Sequence, residues 1–158
     1  QPLQPVLRQV VDELEPLLAD KLLVLNVAET ELDLGLPIDD FRIGQVLRNV
    51  LANAIRYSPE GGHIGVSFDE VFLTDQQPAL CIQVTDQGPG IPEAELESVF
   101  EKFVQSSSTA TGAGGTGLGL AICRELVHLH QGVIRARNLP AGGARFDIIL
   151  PRNQAQPA

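Results

Sequence analysis

The sequence predicts an α/β fold, a two-layer sandwich in which one mixed β-sheet is covered on one face by helices. Stretches with apolar residues at three- and four-residue spacing alternate with groups of β-prone segments, and those segments come as neighbours joined by short turns. Helices between groups of strands favour one sheet with helices packed on it. At 158 residues and 44% hydrophobic content, the chain has the size of one domain. We expect residues 1–151 to form that domain and 152–158 to be a polar tail.

The first half of the chain predicts two helices and two extended segments. Residues 3–18 place their apolar side chains on one helical face, and the β-prone residues 21–28 follow, with a second extended piece at 31–36. Asp39 and Asp40 supply a cap and first-turn acid for a second helix over residues 40–57. Pro59 and two glycines then end that helix.

The second half predicts four strands and two helices. The strands are expected at 63–73, 78–85, 132–137 and 144–150, with a short helix at 92–99 and a longer one at 118–129. Cys81 lies in an expected strand and Cys123 in an expected helix, both in apolar surroundings without metal-type spacing. We therefore expect two buried, reduced thiols.

The charge balance excludes one class of partner. Eleven basic and twenty acidic residues give a net charge of −9, which argues against binding nucleic acid or an anionic membrane through a general basic field. The chain has no apolar run of membrane-spanning length, no signal-peptide pattern and no Met. We expect a cytoplasmic domain taken from a longer protein.

Two asparagines stand out in the second helix. Asn49 and Asn53 are four residues apart and so project from one face, with Arg56 and Tyr57 one turn further on. Because asparagine is a mediocre helix former, a stacked pair among apolar neighbours suggests a ligand. The alternative is a pair of core amides whose hydrogen bonds are satisfied within the protein.

An acidic residue at the end of the 78–85 strand is followed by closely spaced glycines. Asp86, Gly88 and Gly90 can hold a carboxylate against a ligand while the backbone stays close to it. The alternative is an ordinary Asx-type turn.

The stretch 112–122 contains five glycines and runs into an apolar helical pattern. Such a stretch can bring backbone N–H groups and a helix N-terminus to an anion such as phosphate. The alternative is a flexible loop before an amphipathic helix. A dinucleotide-binding fingerprint is excluded because the polar residues 104–111 precede it instead of a strand, and a P-loop is excluded because Leu118 stands where the lysine must be.

Taken in order, four blocks resemble the catalytic, ATP-binding domain of sensor histidine kinases, of the GHKL or Bergerat-fold superfamily. The asparagine helix resembles its N box, Asp86 to Gly90 its first glycine box, residues 100–103 its F box, and 114–120 its second glycine box. The closing Gly142-Gly143 to Leu150-Pro151 pattern also fits, so the resemblance spans nearly the whole chain. It implies the Bergerat ATP-binding fold.

The resemblance also implies a role for each matching residue. Asn53 would coordinate the Mg²⁺ that bridges the ATP phosphates, with Asn49 as its catalytic partner one turn away. Arg56 would meet phosphate, Tyr57 would line the base pocket, and Asp86 would accept from the adenine amine and reject guanine. The other residues implied to contact the nucleotide are Gly88, Gly90, Ile91, Phe103, Gly115, Thr116, Gly117, Leu118 and Gly119.

The residue type at position 49 separates enzyme classes within that superfamily. Its hydrolases carry a glutamate there as a general base, whereas the amide of Asn49 cannot take a proton from water. The resemblance therefore implies transfer of the ATP γ-phosphoryl group to a histidine on a separate dimerisation domain of the same kinase, with a response regulator downstream. It further implies a monomeric fragment from the cytoplasmic portion of a larger, membrane-anchored or soluble, sensor kinase.

Two alternatives remain open, and the chain's own histidines do not decide between them. One alternative is a non-catalytic nucleotide-sensing module, and the other is a serine kinase that acts on anti-sigma antagonists. The F box and the long first helix favour the histidine kinase. His63, His128 and His130 are expected to have ordinary structural or solvent roles.

Overall fold

The computed structural model describes residues 2–91, 96, 100 and 119–153. The elements in these residues, in chain order, are α1 (Leu3–Asp20), β1 (Val24–Val27), α2 (Asp40–Tyr57), β2 (His63–Phe72), β3 (Pro78–Thr85), α3 (Gly119–Leu129), β4 (Val133–Asn138) and β5 (Ala144–Pro151). The helices predicted at 3–18 and 40–57 correspond to α1 and α2, with α1 two residues longer than predicted, and the strand predicted at 78–85 is β3. The predicted 92–99 helix lies outside the described residues apart from position 96.

The described strands form one mixed sheet in the order β1-β2-β3-β5-β4. β1 runs parallel to β2, and the other neighbouring pairs are antiparallel. β3 and β5 are the buried central strands, which explains their nearly continuous apolar sequences. The prediction of an α/β two-layer sandwich with a mixed sheet is confirmed.

The core lies between the sheet and the helices. Alternate residues of the central strands, such as Ile82, Val84, Phe146 and Ile148, are buried in one cluster with the apolar face of α2. α2 packs between α1 and α3, so every described helix contributes to this layer. One face of the sheet thereby packs on the helices. The strand residues that alternate with these buried ones in sequence point to the other face of the sheet.

The other face of the sheet carries a buried ion pair. The Asp147 carboxylate is 2% exposed and accepts from Arg145 Nε at 2.9 Å. Arg137, from β4, reaches the same carboxylate with Nη2 at 3.2 Å while remaining half exposed itself. Two guanidinium groups thus compensate for the burial of one carboxylate.

Both ends of α2 are capped by side chains. Asp39 accepts from the backbone N–H of Arg42 at 3.0 Å, as an N-cap should. At the other end, Lys21 donates to the carbonyl oxygens of Ile55 at 2.8 Å and Arg56 at 2.9 Å. A cation is favourable there because the last carbonyl groups lack helical partners and carry partial negative charge.

The extended piece predicted at 31–36 is not a strand, and that prediction was wrong. Its described pairing is a single bridge between Pro2 and Gly35, and the Asp33 carboxylate turns the chain by accepting from the Gly35 N–H at 2.9 Å. Leu34 and Leu36 are buried because they pack on the core from an irregular connection. Their alternation therefore reflects burial alone.

Both cysteines are buried free thiols, as predicted. Burial raises the pKa of Cys81 to about 11 and that of Cys123 to about 12, so both stay protonated at neutral pH.

Among the described helices, none has the length and the apolar character that a membrane crossing requires.

Candidate functional site

The two asparagines of α2 are both half-buried, but their surroundings differ. Asn49 Nδ2 donates to the carbonyl oxygen of Gly119, the first residue of α3, over 3.4 Å. The Asn53 amide has no hydrogen-bond partner among the described residues. The interpretation as two satisfied core amides therefore fits Asn49 in part and does not fit Asn53.

A buried thiol lies against the Asn49 side chain. Cys123 follows Gly119 by one turn of α3, and its Sγ donates weakly to the Val46 carbonyl oxygen at 3.6 Å. Burial raises the pKa of this thiol, and the neighbouring Asn49 amide lowers it by a smaller amount. Residue spacing carries no sign of this contact, so it could not be predicted from the sequence.

The Asp86 carboxylate follows β3 and is 6% exposed. Oδ1 accepts from the N–H groups of Gly88 at 2.8 Å and Ala144 at 3.2 Å. The bond to Gly88 makes the Asx-type turn that the sequence offered as an alternative. Burial raises the pKa of this carboxyl, and the two hydrogen bonds oppose that rise without cancelling it. Oδ2 has no hydrogen-bond partner among the described residues, and it is not among the fully buried atoms, so it is open to a donor.

Glycine is required where the loop after β3 passes the end of α2. An ideal Cβ at Gly88 would lie 2.5 Å from the Tyr57 carbonyl oxygen, closer than any side chain tolerates. The loop therefore contacts the same turn of α2 that carries Asn53, Arg56 and Tyr57. The structure thus brings two of the sequence-predicted blocks together.

The far side of the same loop is held by the hairpin between β4 and β5. Gly143 has φ +90°, and a Cβ there would lie 2.0 Å from the Asp86 carbonyl oxygen. Asn138, the last residue of β4, hydrogen-bonds the backbone of Ile91. The sequence pattern included Gly143 without giving it this role, and it gave no sign of Asn138.

The remaining predicted residues divide into two groups. Arg56 is exposed, and Tyr57, Gly90, Ile91 and Gly119 are half-buried. Phe100, at the start of the F box, is buried and packs edge-to-face on Phe146 with ring centres 6.0 Å apart. The predicted contacts that lie outside the described residues are Phe103, Gly115, Thr116, Gly117 and Leu118.

A cavity of about 440 Å³ opens beside the loop. Its lining includes Asn26, His63, Thr85 and Gln87, and it shares Asp86 and Gly88 with the loop. The asparagine face of α2 is not part of this lining. Within the described ranges there is also no cluster of three or more histidine, cysteine or acidic side chains able to hold a metal ion.

Comparison with known proteins identifies the family. Residues 38–154 match the family described as "Histidine kinase-, DNA gyrase B-, and HSP90-like ATPase". The sensor histidine kinase WalK of Bacillus subtilis is 42% identical over 125 residues, which cover 78% of this chain and 20% of that protein. The chain thus spans about a fifth of this curated relative.

Solved structures give the same result over nearly the whole chain. The mycobacterial sensor histidine kinase MprB has a TM-score of 0.82 at 30% identity, covering 98% of this chain and 97% of that one. Full-length ShkA in complex with AMPPNP has a TM-score of 0.78 at 26% identity, and the match covers 98% of this chain and 31% of ShkA. Histidine kinase ThkA in complex with the response regulator TrrA has a TM-score of 0.79 at 26% identity, and the match covers 98% of this chain and 41% of that one. The chain therefore belongs to the histidine kinase-, DNA gyrase B- and HSP90-like ATPase family, as an ATP-binding catalytic domain of the histidine kinase class.

Proposed function

We propose that this chain binds Mg-ATP between the C-terminal half of α2 and the loop after β3, and transfers the γ-phosphoryl group to a histidine on a separate dimerisation and phosphoacceptor domain of the same kinase. The observation that carries the proposal is the Asp86 carboxylate. It is buried and bonded through one oxygen, and its other oxygen has no partner among the described residues. An unpartnered carboxylate oxygen on a largely buried residue suits a ligand that donates a hydrogen bond.

Adenine supplies that donor through its exocyclic amine. Guanine presents a carbonyl at the same position, and two acceptors facing each other in a buried site would repel. Tyr57 and Ile91 flank the loop and are proposed to line the base pocket together with Phe103, while Gly88 and Gly90 let the backbone pass close to the purine.

The Asn53 side chain fits a magnesium ligand. Its half-buried amide makes no hydrogen bond to the described residues, and an amide oxygen is the kind of hard ligand that Mg²⁺ accepts. When bound, Mg²⁺ neutralises charge on the ATP phosphates. Arg56, one turn further along α2 and exposed, is proposed to meet the phosphates as well.

The second glycine box is proposed as the other part of the phosphate site. Its residues are Gly115, Thr116, Gly117, Leu118 and Gly119. Gly119 is the first described residue of α3, and backbone N–H groups at the start of a helix can meet an anion. Asn49 hydrogen-bonds the Gly119 carbonyl and would keep this helix start in register with α2.

The chemistry proposed for this site needs no internal base. Asn49 cannot take a proton from water, so hydrolysis is expected to be slow. In the transfer, the bond from the γ-phosphorus to the β,γ-bridging oxygen breaks and a bond to the acceptor imidazole nitrogen forms, with ADP as the leaving group. Positioning and charge neutralisation are the main requirements of such a reaction.

The acceptor is proposed to lie outside this chain, and a response regulator would take the phosphoryl group afterwards. His130 is buried with both ring nitrogens in hydrogen bonds, which makes it unsuitable as a phosphoryl acceptor.

A chain of net charge −9 is not expected to bind nucleic acid or a membrane surface directly. We place the domain in the cytoplasmic part of a larger sensor kinase, and nothing observed favours the non-catalytic alternative.

The proposal is tested by phosphoryl transfer in trans. The chain is mixed with a separately produced dimerisation and phosphoacceptor domain of a related kinase and with γ-labelled ATP, and acid-labile, base-stable label on the acceptor is measured. Asn53→Ala should abolish transfer, whereas Asn153→Ala, an exposed amide just after β5, should leave it unchanged. Undiminished transfer by Asn53→Ala would remove the magnesium-ligand assignment.

A further inference from the structure

The Asn138 side chain holds the end of the loop that follows β3. Its Oδ1 accepts from the Ile91 N–H at 2.7 Å, and its Nδ2 donates to the Ile91 carbonyl oxygen at 2.6 Å. Both backbone groups of one residue are therefore bound by one carboxamide, as a neighbouring β-strand would bind them. The two residues are 47 positions apart, so this contact sets tertiary rather than local geometry.

The glycine before Ile91 makes this contact possible. Gly90 has φ +78°, and a Cβ on it would lie 2.9 Å from Asn138 Oδ1. The loop backbone therefore passes directly over the Asn138 carboxamide. The requirement for glycine at position 90 comes at least in part from Asn138.

The hairpin that carries Asn138 also holds the start of the loop. Gly143 lies against the Asp86 carbonyl, and Ala144 donates to Asp86 Oδ1. The hairpin is closed on itself by a hydrogen bond from the Leu139 N–H to the Gly143 carbonyl oxygen at 3.0 Å. One rigid turn thus fixes both ends of residues 86–91.

We propose that Asn138 is a positioning residue for base recognition: it fixes the path of Gly90 and Ile91, at the end of the loop that begins with Asp86, and thereby sets the preference for adenine. This inference rests on the proposed function and names a residue outside the four blocks. Asn138 is exposed, so water competes for its hydrogen bonds and its loss should disturb the loop more than the whole fold. Ile91 packs against the core, so its displacement would move the base-facing side of the loop.

The test compares Asn138→Ala and Asn138→Asp with the wild-type chain. Affinity for ADP and for inosine diphosphate, which has a carbonyl in place of the adenine amine, is measured by calorimetry, and amide hydrogen exchange is followed at Ile91. Asn138→Ala should weaken ADP binding roughly tenfold, as for the loss of about one net hydrogen bond, and should reduce the preference for ADP by a similar factor. Exchange at Ile91 should become faster.

The aspartate variant separates the two hydrogen bonds. Asn138→Asp keeps an acceptor for the Ile91 N–H but replaces the donor to its carbonyl with a second acceptor. Exchange at Ile91 should therefore stay slower than in Asn138→Ala, and ADP preference should be intermediate.

Arg137→Ala is the matched control because it is the preceding residue of β4 and its side chain reaches Asp147 on the other face of the sheet. It should lower the melting temperature without changing Ile91 exchange or the preference for ADP. Equal losses of ADP and inosine diphosphate affinity in Asn138→Ala would make Asn138 a structural residue only, and would overturn the inference while leaving the proposed function intact. A wild-type chain without any preference for ADP would instead overturn the proposed function, and this inference with it.

Discussion

Asp86 and Ala144 hold each other through two reciprocal hydrogen bonds. The Asp86 N–H donates to the Ala144 carbonyl oxygen at 3.0 Å, and the Ala144 N–H donates to Asp86 Oδ1 at 3.2 Å. The carboxylate is thus oriented by the start of β5, 58 residues away in sequence. Its direction is set before any ligand arrives, which is the condition for selecting a base by one hydrogen bond.

Replacing the Asp86 carboxylate with an amide should separate stability from binding. Asp86→Asn keeps an oxygen for the Gly88 and Ala144 N–H groups and removes a buried charge. We expect the variant to be at least as stable as the wild type at pH 7 and to lose adenine binding, since the amide would offer its own NH₂ to the adenine amine. Thermal unfolding checks the expected stability, and nucleotide titration checks the expected loss of adenine binding.

The difference in unfolding free energy between Asp86→Asn and the wild type should depend on pH, because the pKa of Asp86 is raised in the folded chain. In the unfolded chain this carboxyl ionises near its ordinary pKa of about 4, and in the folded chain it ionises at higher pH. The wild type therefore loses stability as pH rises from the unfolded to the folded pKa, and Asp86→Asn does not. The gap in unfolding free energy should open with rising pH across that window. A gap that is the same at pH 3 and pH 7 would contradict the assigned shift.

The two adjacent glycines of the β4–β5 hairpin should respond differently to alanine. Both have positive φ, +104° at Gly142 and +90° at Gly143, so each substitution strains the backbone by about 1–3 kcal/mol. A Cβ at Gly142 meets nothing within 4 Å, whereas at Gly143 it would lie 2.0 Å from the Asp86 carbonyl oxygen. Gly143→Ala should therefore be the more destabilising in denaturant unfolding and should also weaken nucleotide binding. Equal effects would mean that the Asp86 contact adds nothing.

His130 links the end of α3 to the start of α2. Its Nδ1 donates to the Leu126 carbonyl oxygen at 2.8 Å, and its Nε2 accepts from the Asp39 N–H at 3.0 Å. His130→Ala would leave these groups without that partner at a buried site, so we expect a loss of about 1–3 kcal/mol in unfolding free energy. His128→Ala, at an exposed position of α3, is the control and should change stability by less than about 0.5 kcal/mol.

Lys21 should stabilise the helix that carries the asparagines. Its ammonium group bonds the carbonyl oxygens of Ile55 and Arg56 at the C-terminus of α2. Lys21→Met removes the charge and keeps most of the aliphatic stem, so we expect a loss of about 0.3–2 kcal/mol, measured by urea unfolding. Arg8→Met on the exposed side of α1 should have little effect. An equally large loss of unfolding free energy in Arg8→Met would mean that the change in net charge, and not the hydrogen bonds of Lys21, causes the loss in Lys21→Met.

The sequence was sufficient for the elements whose periodicity reflects their burial. α2 and β3 were predicted at their observed bounds because a capping aspartate, breaking glycines and a continuous apolar strand are local signals. The extended piece expected at 31–36 is not a strand, since burial of Leu34 and Leu36 against the core and pairing in a sheet produce similar apolar patterns.

The site divides in the same way. Asn49, Asn53 and Asp86 are candidate site residues because their polar types are unusual where they stand, and their roles in binding stay predictions. Asn138 and Cys123 could not be predicted, since their roles depend on contacts with residues 47 and 77 positions away. Nothing in the residues around Asn138 distinguishes it from an ordinary strand end.

Base selection by Asp86 is tested most directly by calorimetric titration of the chain with an ATP analogue and a GTP analogue, each with and without Mg²⁺, in the wild type and in Asp86→Asn. We expect the wild type to bind the ATP analogue with clear preference, Mg²⁺ to strengthen this binding, and Asp86→Asn to lose the preference. Equal binding of the two analogues, or adenine selectivity that survives Asp86→Asn, would contradict the assignment of Asp86 as the residue that selects the base.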